Sequence, residues 1–234
     1  MPTFILATRN SHKVEEIRSI LSDAFAYLTL NDFPGAPVVV EDASSFAGNA
    51  TKKAVGLAEW LMQNSQLEMP GIQHPPSSIQ HPAFPAFVLA DDSGLEVDAL
   101  NGAPGVHSAR FAALDEGTGS STGNSPDAAN NAKLLRLLEN VPSAKRTARF
   151  RCVLALATVH PPSTILSPQL FEGVCEGRIS LTPSGQGGFG YDPLFVPNGY
   201  EQSFAELGEG VKNQLSHRAR ALQALQRWLI TSGQ

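Results

Sequence analysis

ADDSGLEVDALNGAPGVHSARF, from Ala90 to Phe111, follows directly on the short apolar run Phe87 to Ala90, FVLA. Such a run predicts a buried strand, and in open α/β sheets ligands gather beyond the carboxyl ends of strands. Asp91 and Asp92 are therefore expected at a strand end, with Ser93 and Gly94 forming the turn that follows. Successive side chains of an extended chain face opposite sides, so the two carboxylates are not expected to grip one ion together. One of them carries chemistry and the other braces the turn; Asx hydrogen bonding in that turn would account for the pair without any chemistry. Carboxylates withdrawn from water are costly unless a metal, a lysine or an arginine compensates them.

Working outward, Thr3 to Ala7 reads as a strand that runs into the polar turn Thr8-Arg9-Asn10-Ser11-His12-Lys13. Val14, Ile17 and Leu21 then mark one face of a helix, with Asn10 or Ser11 as its cap. Free N–H groups at that helix end, with Lys13 in the first turn, suit an anion. Phe46, Ala50, Ala54, Leu57 and Leu61 mark a second helix, which carries Asn49 and Lys53, with Glu41 just ahead of it. Residues 63–85, rich in Pro, Gln and Ser, predict a long flexible loop. A third helix begins near Pro126 and a strand spans Thr147 to Ala157. One or two strands broken by Gly173 and Gly177 occupy Leu170 to Leu181. Gly185 to Pro193, GQGGFGYDP, reads as a loop, and a closing helix runs from about His217 to Ile230 with Ser216 as its cap. This mixture of strands and helices predicts an α/β protein with a mixed sheet.

The chain has 234 residues and a net charge of -5, which argues against a nucleic-acid partner held by phosphate attraction. Cys152 and Cys175 have neither metal-ligand spacing nor a disulfide framework, so a reduced, cytoplasmic compartment is expected. No stretch reads as a signal peptide or membrane span, and no membrane partner is expected.

Lys13, Lys53, Lys212 and Arg218 recur at the polar ends of elements, while Glu41, Asp91 and Asp92 supply acid. Together they describe a site for a metal-bound polyphosphate. Magnesium takes one or two carboxylates plus phosphates and waters, which suits Glu41 and Asp92. Phe189 and Tyr191 could lay a ring against a nucleobase while Asp192 accepts from its edge; a tight turn with Phe189 in the core is the structural alternative. His217 and Arg218 place donors at a helix start. An ordinary capped helix with a solvated lysine explains Thr8 to Lys13 on spacing alone, and Glu41 and Lys53 taken singly read as surface charges. Ser93 lies in Asp-Ser-Gly, not in a Gly-x-Ser-x-Gly elbow, so a serine nucleophile is not expected.

Assembled, these motifs resemble the inosine triphosphate pyrophosphatase family. The likeness is carried by LATRNSHK (Leu6–Lys13), SFAGNATKKA (Ser45–Ala54), the Ala90–Phe111 run, NNAKLL (Asn130–Leu135), GGFGYDPLF (Gly187–Phe195), SFAEL (Ser203–Leu207) and KNQLSHRARAL (Lys212–Leu222). The resemblance implies one elongated mixed-sheet α/β domain over residues 1–234, with two lobes about a central nucleotide-binding cleft. It implies a cytoplasmic homodimer that uses Mg2+ to cleave non-standard purine triphosphates (ITP, dITP, XTP) into monophosphate and pyrophosphate. Carried across, Thr8, Arg9, Asn10, Ser11, His12 and Lys13 form the phosphate-binding turn, and Lys53 and Lys212 add charge around the triphosphate. Asp92 is the general base and a metal ligand, Glu41 assists the metal, and Ser93 touches substrate. Phe189, Gly190, Tyr191 and Asp192, with His217 and Arg218, read the base. Two positions depart from the family's pattern: Arg9 stands where Gly is frequent, and Gly48 where Glu is usual. Alternatives are a relative acting on modified pyrimidine or standard nucleoside triphosphates, disfavoured by the Arg-Asn-Ser-His-Lys turn, and a non-hydrolytic nucleotide sensor, disfavoured by Asp92.

Overall fold

Phe4, Ile5 and Leu6 of β1 (Thr3–Leu6) are fully buried, the pattern of a strand covered on both faces. It pairs in parallel with β2 (Ala26–Thr29) on one side and with β3 (Ala86–Val97) on the other, Leu6 lying opposite Leu89. The structure, a computed structural model, describes residues 3–21, 25–64, 86–115, 123–160, 164–165 and 167–232. Its remaining strands are β4 (Thr147–His160), β5 (Thr164–Ile165), β6 (Gln169–Ile179) and β7 (Phe195–Pro197). The order is β2-β1-β3-β4-β6-β7, with β5 pairing antiparallel to β4 and β7 antiparallel to β6, so the sheet is mixed and the protein α/β.

Residues divide into two compact units, one formed by 1–91 and 154–171, the other by 92–153 and 172–234. In the first, α1 (Ser11–Leu21) buries Ile17 and Leu21, as its spacing predicts, and α2 (Phe46–Gln63) buries Phe46, Ala50, Ala54 and Leu57. Gln63, the first residue of the expected long loop, instead closes α2, and residues 65–85 of that expectation lie outside the described residues. In the second unit, Leu95, Val97, Phe111, Leu134, Phe150, Tyr191, Phe195 and Phe204 belong to one apolar core. Around it stand α3 (Asp127–Leu137), α4 (Phe204–Leu215) and α5 (His217–Ser232). Ser216 caps α5 by accepting from the Ala219 N–H at 3.1 Å, and Ala219, Leu222, Leu225 and Leu229 are buried as expected.

Two expectations fail. β3 does not end at Ala90: it runs through Asp91, Asp92, Ser93 and Gly94 to Val97, so neither carboxylate stands at a strand end and neither braces a turn. The cause lies downstream, where Leu95 and Val97 are buried and the Leu95 N–H donates to Ser108 Oγ at 2.9 Å. Nor do Gly173 and Gly177 break β6, which is continuous and alternates in burial. They are points of close approach. A Cβ on Gly173 would lie 2.0 Å from the His217 carbonyl oxygen, and one on Gly177 would lie 2.4 Å from that of Val196.

α4 is not among the elements expected above, although Phe204, Leu207, Val211 and Leu215 recur at helical spacing; Gly208, at φ 75°, interrupts its helical backbone. Its start was nonetheless written in Ser203-x-x-Glu206: the Ser203 hydroxyl and the Glu206 carboxylate each accept the other's N–H, a complete capping box. Those bonds, first from the Ser203 N–H and then from the Ser184 hydroxyl, hold the Glu206 carboxyl below its ordinary range.

Candidate active site

In the first unit the Thr8–Lys13 turn is built by its own side chains. Thr8 Oγ1 accepts from the Asn10 N–H at 3.1 Å, and Asn10 Oδ1 accepts from the Lys13 N–H at 3.2 Å, so Asn10 is the residue that caps α1. Arg9, Ser11 and His12 are exposed at the helix entrance, where first-turn N–H groups lie outside the helix ladder. Lys13 Nζ reaches Asp91 at 3.0 Å, and the carboxylate, only 3% exposed, has in that ammonium the cation its burial demands. Lys53 Nζ sits 3.0 Å from Glu41 Oε2. Asn49, on the buried side of α2, accepts from the Ala43 N–H at 2.9 Å and so ties the segment that carries Glu41 to the helix that carries Lys53. Lys52 adds an exposed ion pair with Asp42.

In the second unit Asp92 is buried on β3 and Ser93 follows it, half-buried. Arg218, 1% exposed at the start of α5, donates from Nη2 to Ser93 Oγ at 3.0 Å. Its guanidinium carbon lies 6.0 Å from the centre of the Phe189 ring, and Lys212 Nζ lies 4.2 Å from the same ring. Lys212 in turn meets Asp192 Oδ2 at 2.7 Å, and that oxygen also accepts from the Phe189 N–H at 2.9 Å. His217 stacks on Phe150, the rings 4.8 Å apart and 13° from parallel. Asp92, Ser93, Arg218, Phe189, Lys212 and Asp192 thus form one connected set, the last five through direct contacts and Asp92 as the neighbour of Ser93.

The structure separates roles that look equivalent in GGFGYDP. Tyr191 is a core residue whose hydroxyl donates to the Ser108 carbonyl at 2.9 Å, and burial, with a smaller contribution from Asp127, pushes its phenol above the ordinary range. Phe189 is the half-buried ring under two cations, and does not plug the core. Asp192, enclosed with Lys212 and the Phe189 N–H, braces the loop, a different task from accepting a hydrogen bond at a base edge. Lys212 is as deeply enclosed: its ammonium lies with Asp192 and Phe189. A Cβ on Gly188 would fall 2.2 Å from Asp192 Oδ2, which explains that glycine. Sequence reasoning did not single out Asp127 and Asn131, which hold the Gly190 peptide, although Asn131 lies inside the quoted NNAKLL motif.

With this geometry in place, the comparisons with known proteins agree. A sequence model of the Ham1 family matches residues 4–228. The chain is 45% identical to a dITP/XTP pyrophosphatase of Desulforamulus reducens, over 94% of this chain and 91% of that protein. It is 42% identical to a dITP/XTP pyrophosphatase of Shouchella clausii, over 96% and 95%. Among solved structures, a HAM1 protein from Coxiella burnetii superposes with a TM-score of 0.73 at 34% identity, covering 99% of this chain and 100% of that one. The Staphylococcus aureus Ham1 protein gives a TM-score of 0.74 at 31% identity, covering 98% and 99%.

Proposed function

The chain belongs to the Ham1 family, and from that premise we propose that it hydrolyses non-standard purine nucleoside triphosphates, dITP and XTP among them, to the monophosphate and pyrophosphate. The observation that carries this reading is the Arg218–Ser93 hydrogen bond, which joins the strand bearing Asp92 to the loop presenting Phe189. One arginine thereby touches both the neighbour of the reacting group and the surface suited to a flat base.

In the proposed reaction a water oxygen attacks the α-phosphorus in line with the departing pyrophosphate. The new P–O bond forms as the α–β bridging bond breaks, and the water's proton passes to the Asp92 carboxylate. The Thr8–Lys13 turn and Lys53 are assigned to phosphate, where ammonium groups and first-turn N–H donors favour anionic oxygens. Lys212, held on Asp192, is assigned mainly to fixing the base loop. His217 and Arg218 are assigned to the base: a donor facing a 6-keto oxygen is satisfied, whereas the 6-amino group of adenine would leave donor against donor.

Magnesium, the proposed ion, takes one or two carboxylates and completes its sphere with water and phosphate oxygens. Asp92 is the carboxylate assigned to it and Glu41 the assisting one; both are hard oxygen donors, so these residues suit the ion. Among the described residues there is no group of three or more His, Cys, Asp or Glu placed to hold a metal. When bound, it supplies Lewis-acid polarisation of phosphate oxygens. We assign a homodimer and a cytoplasmic setting on the family resemblance; both described cysteines are buried free thiols, and no helix among the described residues is long and apolar enough to cross a membrane.

A panel of nucleoside triphosphates with magnesium, assayed for pyrophosphate against orthophosphate, tests the reading. Pyrophosphate release from dITP and XTP is expected, with Asp92→Asn slower by about 10²–10⁴-fold. Direct orthophosphate release, unchanged turnover in the variant, or equal activity on ATP and ITP would each overturn it.

A further inference from the structure

Gly190, at φ +63°, has both of its backbone polar groups held by one helix. Its N–H donates to Asp127 Oδ2 at 2.6 Å, and its carbonyl accepts from Asn131 Nδ2 at 3.0 Å. Asp127 and Asn131 stand one helical turn apart on the same face of α3, so a single rigid element grips the peptide at two points. The carboxylate sits in the first turn of α3, where the helix dipole favours it.

The helix is itself anchored. Asn130 Oδ1 accepts from the Ala112 N–H at 2.8 Å and its Nδ2 donates to the Ala109 carbonyl at 3.2 Å. Lys133 Nζ donates to the Phe111 carbonyl at 2.6 Å and lies over the Phe111 ring. Within the loop, Tyr191 is fixed through its hydroxyl and Asp192 through Lys212. The segment from 189 to 192 is therefore held at every residue, and the Phe189 ring is what it presents.

A glycine in the left-handed region relaxes readily to other conformations when released. Within the turn itself the Asp192 N–H donates to the Phe189 carbonyl at 3.3 Å, a bond that leaves both polar groups of Gly190 to other partners. The two α3 side chains are what holds the Gly190 N–H and carbonyl, and with them the peptide groups on either side of Gly190.

We propose that Asp127 and Asn131 are positioning residues for base recognition, clamping the Gly190 peptide so that the Phe189 ring keeps the orientation a purine stacks on. This rests on the pyrophosphatase reading above. The two residues touch no substrate; their effect passes through Gly190 to Phe189.

Steady-state kinetics of pyrophosphate release from dITP and dATP test it, on wild type, Asp127→Ala, Asn131→Ala, Asn131→Asp and Asp127→Asn. Each alanine variant is expected to raise KM for dITP about five- to tenfold and to lower the dITP:dATP ratio of kcat/KM, with kcat within about twofold. Asn131→Asp exceeds Asn131→Ala, because a carboxylate faces the Gly190 carbonyl. Asp127→Asn recovers most of the loss, because its amide oxygen still accepts. A merely structural role would lower the melting temperature and the active fraction, reducing kcat and leaving KM and the ratio in place; that outcome overturns the proposal. So does a KM and a ratio within about twofold of wild type in both alanine variants. Should Asn131→Ala fail to fold, Asp127→Ala, altered at an exposed residue, decides alone. A wild-type chain releasing no pyrophosphate from dITP would sink the functional reading and the clamp with it, whereas an active wild type with indifferent variants sinks only the clamp.

Discussion

Asp192→Asn isolates what holds the base loop. In the native chain the Asp192 and Lys212 side chains are 3% and 4% exposed and meet at 2.7 Å, and Asp192 Oδ2 also accepts the Phe189 N–H. The asparagine oxygen can still accept from Phe189, so the change removes chiefly the charge, leaving an ammonium enclosed without its carboxylate. Breaking a buried pair from one side costs about 3–5 kcal/mol. That is a large part of a total stability of about 5–15 kcal/mol. At about 2–4 °C per kcal/mol for a chain of this size, the melting temperature should fall by about 6–20 °C. Lys212→Met should cost a similar amount, since it strands the carboxylate. The double variant should lie within about 1–2 kcal/mol of wild type, because neither charge is then buried alone. Urea unfolding followed through Trp228 of α5, in a Trp60→Phe background, measures the cycle. Single variants that each cost less than about 1 kcal/mol, or a double variant equal to their sum, would refute the argument.

Arg218→Lys keeps a cation but loses the fork, and a hydrogen bond to a charged donor contributes about 1.5–3 kcal/mol, so kcat/KM for dITP should fall by about 10–100-fold; a change within about twofold would show that the Ser93 contact is incidental. Burial pushes the Cys175 thiol from 9.0 to about 11. Because the folded value is the higher, its contribution to stability is complete below about pH 9 and is lost as pH rises towards about 11. Cys175→Ala should flatten the alkaline limb of a denaturation profile, and an identical limb would count against this origin. A Cβ on Gly48 would lie 2.7 Å from that of Ala43 and 3.1 Å from Ser45 Oγ. Overpacking of about 1–3 kcal/mol outweighs a helix gain of about 0.5–1 kcal/mol, so Gly48→Ala should lower stability in thermal unfolding. A gain instead would mean that the segment around Ala43 yields freely.

Several elements were legible because their signals are local. The faces of α1, α2 and α5 repeat at helical spacing, and Asn10 and Ser216 cap their helices through atoms three residues away. The capping box of α4 was equally local, and with Phe204, Leu207, Val211 and Leu215 at helical spacing behind it the helix was within reach of the sequence. β7, at three residues, is too short for any period to emerge, and β2, no shorter than β1, lacks the run of buried apolar residues that marks β1. Of the candidate site, the residue types were readable and their partners were not. Phe189 and Tyr191 are both aromatics among glycines, and only the bond from Tyr191 to Ser108, 83 positions away, assigns one to the core.

The faces of α1, α2 and α5, the caps Asn10 and Ser216 and the motifs that carry the family resemblance were determined by the amino-acid sequence alone, because hydrophobic spacing and capping act within a few residues. Tertiary structure decided that β3 continues through its carboxylates, that Gly173 and Gly177 serve close approach, and which charges are shared. Arg218 finds Ser93 across 125 positions and Lys13 finds Asp91 across 78. A buried charge takes whichever opposite charge or dipole the folded chain brings within hydrogen-bond reach, and no local pattern specifies that choice.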